Sequence, residues 1–129
     1  MQTIQDNAGE TPITLLRKLL LVDDEADGAD CAAVLLRSHG MAVNVVHSAK
    51  DALHALETQT DIDVVLTDIM MPGMTGLELA DAIRTMYPAI KVVLMSGYVL
   101  PEALKDRQRD YLLVEKPYKM ATLLKALHS

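Results

Sequence analysis

The stretch VVLTDIMMPGMTGLE, residues 64–78, decides the fold. Val64, Val65 and Leu66 are apolar without alternation and run through Thr67 into Asp68, the profile of a strand buried on both faces that stops at an acid. Pro72 and Gly73 mark a loop. Thr75 and Glu78 have capping-box spacing ahead of a helix whose Leu79, Ala80, Ile83 and Met86 share one face. Tyr87-Pro88 closes that helix, because a residue before proline avoids helical geometry. A buried strand therefore feeds a helix.

The same unit recurs on both sides. Upstream, Lys18–Val22 is an apolar run halted by Asp23-Asp24-Glu25, and Asp27–Ser38 reads as a helix stopped by Gly40. That helix carries Cys31 and Leu35, and Ala32 and Leu36, at i, i+4 spacing, with Cys31 expected in the core. Val43–Val46 is a second strand, and Ser48 opens a helix with Ala52, Leu53 and Leu56 on its stripe. Downstream, Ile90–Met95 is a strand halted at Ser96-Gly97. Residues 101–109 are a polar, charged segment in which Pro101 suits a first helical turn, and mobility is expected there. Tyr111–Val114 is a fifth strand, followed by Lys116-Pro117 and a last helix with Leu123, Leu124 and Leu127. Residues 1–16 read as a flexible leader and 17–129 as one domain.

Five βα units with strands apolar throughout imply an α/β fold, a doubly wound, five-stranded parallel sheet covered on both faces. Right-handed crossovers leave the order 2-1-3-4-5 as the natural choice, with ligands beyond the carboxyl ends of the strands. The whole chain is consistent with this. Its 129 residues suit a single core, and half of them are hydrophobic. A net charge of −6 argues against a nucleic-acid surface, as does an aromatic content of four Tyr with no Trp or Phe. One cysteine builds no disulfide framework, and no apolar run approaches the length of a membrane span. No secretory signal is present, so a soluble cytoplasmic domain is expected.

In this topology Asp23, Asp24, Asp68, Ser96 and Lys116 all follow carboxyl ends of strands and converge on one crevice. Each alone has a plain structural reading: Asp23 and Asp24 can cap a helix, Lys116 can be a solvated charge and Ser96 a turn residue. Together they are a set of parts. Carboxylates in close quarters repel unless a cation neutralises them, and oxygen ligands without His or Cys favour Mg²⁺ or Mn²⁺. A cation, a lysine and a hydroxyl suit phosphoryl oxygens, and an aspartate is a competent nucleophile toward phosphorus. Met70, Met71 and Met74 are expected to pack rather than to ligate, since thioethers do not suit an oxygen-rich site. His39, His47, His54 and His128 are scattered and are expected at the surface.

On these residues the sequence resembles the receiver domains of two-component response regulators. The motifs are LLLVDDE, VVLTDIMMPGMTG, LMSGY and EKP, in order and at matching spacing. The resemblance implies that Asp68 is the phosphoacceptor, taking its phosphoryl group from a histidine kinase or histidine phosphotransfer protein. It implies that Asp24 and Asp68 hold Mg²⁺ by side chains, Asp23 through water and Met70 through its backbone carbonyl. Lys116 then pairs with the phosphoryl group, Ser96 bonds it after transfer, and the Lys116-Pro117 bond is cis. The switching face comprises the fourth helix, fifth strand and last helix, acting on an unidentified downstream protein. Such chemistry is self-catalysed, so the domain is not an enzyme in the usual sense. A freestanding regulator and the receiver of a hybrid kinase both fit, and the LMSGY form is similar to hybrid-kinase receivers.

Two features depart from the pattern. Leu113 stands where receivers carry Tyr or Phe, three positions before the lysine, so Tyr98 and its loop are expected to take over the readout. Met70 occupies a position that tunes the lifetime of the phosphoaspartate. The competing function is a Mg²⁺-dependent aspartyl-phosphate hydrolase of small phosphate esters. Against it, Ile69-Met70 follows Asp68 where such hydrolases place a second acid two positions on. A docking-only pseudo-receiver is disfavoured by the presence of all five site residues.

Overall fold

The computed structural model describes residues 17–97 and 110–128, together with Glu102, Lys105 and Asp106 between them, which are helical. The leader, the Tyr98 readout and most of the expected helix at 101–109 lie outside the described residues. Strand β1 (Lys18–Val22) leads to α1 (Ala26–Ser38), β2 (Ala42–Val46), α2 (Ala49–Thr58), β3 (Val64–Asp68), α3 (Gly76–Met86), β4 (Lys91–Ser96), β5 (Leu112–Glu115) and α4 (Met120–His128). All pairings are parallel and the order is β2-β1-β3-β4-β5, as the sequence predicts.

Strand periodicity sorts the core into two layers. Leu19, Leu21, Val64, Leu66, Val93 and Met95 face α1 and α4. Leu20, Val22 and Val65 face α2 and α3, where they meet Leu56, Leu79 and Ile83. The central strand β3 is buried along its whole length, which fixes its last residue, Asp68, under both layers.

Helix ends follow the expected chemistry. The Ser48 hydroxyl accepts from the Asp51 amide. Thr75 and Glu78 form a complete capping box at 3.2 and 2.9 Å. Gly40, at φ 88°, takes the left-handed conformation that ends α1, its amide donating to the Arg37 carbonyl. Tyr87 closes α3.

One expectation is corrected. Cys31 is exposed and Leu35 keeps 47% of its surface in water, because the buried stripe of α1 is Ala29, Ala32, Ala33 and Leu36. Both i, i+4 pairs fit the spacing, but they lie about 100° apart around the helix, and only one faces the sheet. Tyr111 links two elements. Its hydroxyl donates to Asp81 Oδ1 at 2.6 Å and the Arg84 guanidinium lies 5.4 Å from its ring centre, tying the start of β5 to α3. Burial raises its pKa, and the bond to Asp81 adds to the rise.

Substituting Thr75→Ala removes one half of the capping box and should lower unfolding free energy by about 1 kcal/mol in a urea titration. Cys31→Ser should stay within about 0.5 kcal/mol of wild type in the same measurement, as an exposed site does.

Candidate functional site

Four segments meet at the carboxyl edge of the sheet. β1 runs into Asp23 and Asp24, β3 ends on Asp68, β4 ends on Ser96, and Lys116 follows β5. Ligand oxygens of Asp23, Asp24 and Asp68 lie within 4.8 Å of one another. Asp23, Asp68 and Ser96 are 4, 5 and 4% exposed, whereas Asp24 faces solvent at the rim. Lys116 Nζ donates to Asp68 Oδ2 at 3.1 Å and to Asp23 Oδ2 at 3.4 Å. The Lys116-Pro117 peptide is cis, and the Lys116 amide donates to the Ser96 carbonyl at 2.8 Å. The structure thus brings together Asp23, Asp24, Asp68 and Lys116, with Ser96 on the adjoining strand end. Met70 lies two residues beyond Asp68 with its side chain 40% exposed, and Met71 packs in the core.

The electrostatics are unbalanced. Burial pushes the Asp68 carboxyl above its ordinary pKa, Lys116 counters this in part, and Asp23 and Asp24 add to the rise. Burial alone would depress the Lys116 ammonium, but its bond to Asp68 and the charges of Asp68 and Asp23 outweigh that and hold it above its ordinary value. Lys116 pairs with two of the three carboxylates. Asp68 Oδ1 is buried without a hydrogen-bond partner. A buried orphan oxygen costs stability unless something fills its lone pairs. An oxygen-only donor set with one unfilled carboxylate oxygen suits a hard divalent cation.

Two contacts had no clear signature in the sequence. Gly76 opens α3 directly against the acid: a Cβ there would stand 2.0 Å from the Asp68 carbonyl oxygen. Its only sequence signal is a glycine at a helical position, where helix propensity disfavours it. His47 places Nδ1 2.9 Å from the Asp23 carbonyl oxygen. The expectation of exposed histidines holds, yet this one is engaged.

The sequence model of the response regulator receiver domain matches residues 19–128. The chain belongs to that family. It is 35% identical over 106 residues to a response regulator receiver protein of Anaeromyxobacter sp., covering 82% of this chain and 44% of the relative's length. A receiver protein from Pseudomonas putida superposes with a TM-score of 0.78 at 26% identity, over 87% of this chain and 95% of that one. The response regulator TrrA from Thermotoga maritima, solved in complex with Mg²⁺-BeF, shares the fold with a TM-score of 0.77 at 24% identity, over 87% of this chain and 96% of the other. Response regulators are signalling proteins that work with histidine kinases and downstream targets.

The raised Asp68 pKa has a definite sign. The folded state holds its proton more tightly than the unfolded chain does, so the ionised carboxylate weakens the fold as pH rises through the folded pKa. Without divalent ions, Asp68→Asn should therefore unfold at higher denaturant than wild type at pH 7. The gap should close as pH falls to the ordinary carboxylate value of 3.8.

Proposed function

We propose that this domain is a phosphoacceptor switch in which Asp68 takes a phosphoryl group from a histidine kinase or a histidine phosphotransfer protein. The observation that carries the reading is the pairing of a buried, partly orphaned Asp68 carboxylate with Lys116 beside two further acids. Asp24 and Asp68 would hold Mg²⁺ (or Mn²⁺) directly, with Asp23 acting through water and the Met70 carbonyl completing the set. The TrrA complex with Mg²⁺-BeF supports this, as a related fold holding both a cation and a phosphoryl mimic. When bound, the ion neutralises acid charge and withdraws electron density from phosphoryl oxygens.

The chain's own residues supply the rest. An oxygen of Asp68 attacks phosphorus as the bond to the donor histidine nitrogen breaks, and the proton balance is completed on the departing imidazole. Lys116, held by Asp68 and Asp23, offers its N–H donors to the transferred group. The transfer replaces a carboxylate by a group of greater charge with three acceptor oxygens. Ser96, buried at the end of β4, would donate its hydroxyl to one of them and so couple the acid to the segment after β4 and to the β5–α4 face. Cytoplasmic action follows from that partner. Among the described residues no helix is long and apolar enough to cross a membrane.

Intact-mass analysis after incubation with acetyl phosphate and Mg²⁺ tests the reading. One phosphoryl adduct is expected on wild type and none on Asp68→Asn, with Lys116→Ala labelled more slowly. Absence of the adduct from wild type would overturn it. Sustained turnover of a generic phosphate ester without a stable adduct would instead favour the hydrolase.

A further inference from the structure

β1 and β2 pair in register from Lys18↔Ala42 to Val22↔Val46. The ladder runs half a step further, because the Asp23 amide donates to the Val46 carbonyl at 3.1 Å. In a parallel ladder the Asp23 carbonyl would next accept from the amide of Ser48. That continuation is lost, since Ser48 is the N-cap of α2 and the chain turns there into the helix. The His47 ring occupies the vacated role, with Nδ1 2.9 Å from the Asp23 carbonyl oxygen. A carbonyl only accepts, so Nδ1 carries the hydrogen.

We infer that His47 is a positioning residue for the acidic pair: its ring N–H replaces the missing ladder bond and fixes the β1–α1 turn from which Asp23 and Asp24 reach the cation. This rests on the reading of Asp23, Asp24 and Asp68 as a divalent-cation site. Asp23 is gripped at every polar group. Its amide is held by Val46 and its carbonyl by His47, while Oδ1 accepts from the Glu25 amide at 3.0 Å and Oδ2 from Lys116. Three of those four contacts come from within the turn, the sheet backbone or the lysine beside Asp68. Among the hydrogen bonds of the described residues, His47 is the one side chain that ties the turn to the end of β2, and it lies outside the set of acids and the lysine. Freed of it, the peptide between Asp23 and Asp24 can rotate, and the Asp24 carboxylate, already exposed at the rim, loses its fixed height over Asp68.

Mn²⁺ binding, read by electron paramagnetic resonance of the free ion, tests this on wild type, His47→Leu and His47→Asn. The asparagine amide nitrogen stands where Nδ1 stood and restores the donor, whereas leucine keeps bulk without one. His47→Leu should raise the apparent Kd for Mn²⁺ about fivefold, the effect of losing one net hydrogen bond. His47→Asn should remain within about twofold of wild type and melt near it without ions, whereas the ion-free melting temperature of His47→Leu should fall by roughly 3–6 °C. Labelling by acetyl phosphate should fall in His47→Leu at low Mg²⁺ and recover at saturating Mg²⁺. Equal Mn²⁺ affinity in wild type and His47→Leu, or equal weakening in both variants, would overturn the role of the ring. No Mn²⁺ binding by wild type would overturn the cation reading beneath it.

Discussion

Three carboxylates and one ammonium share a space whose ligand atoms lie within 4.8 Å, at the edge of a sheet that excludes water from two of the acids. Like charges at this spacing do not settle by geometry alone. Lys116 satisfies one oxygen of Asp68 and one of Asp23, and the other oxygen of Asp68 is buried without a partner. The fold tolerates this because β3 is pinned on both faces by aliphatic packing that has nothing to do with the site. Stability is supplied by the two core layers, and the charge imbalance is held in reserve at the strand ends.

That division explains why so much was legible in the residues. The strands are buried on both faces, so they read as unbroken apolar runs, and the acids, serine and lysine that terminate them stand out by contrast. Thr75 with Glu78, Ser48, Gly40 and Tyr87-Pro88 each declare a helix boundary through local hydrogen bonding or backbone restriction, and each is realised. Parallel order then places the four strand ends side by side without further information.

What escaped was set by rotation and by close approach, which linear spacing does not encode. The stripe of α1 is offset by one residue from the one containing Cys31, because both choices satisfy helical periodicity and only docking on β1 and β2 decides. Gly76 carries no visible mark of the 2.0 Å space it leaves beside the Asp68 carbonyl. His47 looks like any exposed histidine after a strand, and its bond to Asp23 depends on the exact point at which β2 leaves the ladder. The pairing of Tyr111 with Asp81 and Arg84 of α3 likewise depends on how β5 docks, which no local pattern announces.

Lys116 and Asp23 touch although 93 positions separate them in sequence. During synthesis from the amino terminus, Asp23, Asp24 and Asp68 all emerge well before Lys116, the lysine that pairs with Asp23 and Asp68. A nascent chain that has formed β1 and β3 but awaits β5 would carry mutually repelling acids without the Lys116 ammonium that pairs with them. Such non-local closure slows folding, and it makes the docking of β5 the step that both completes the sheet and brings Lys116 to its acidic edge. Dissolved cations would relieve the same repulsion earlier, coupling the ionic content of the medium to the order in which the domain assembles.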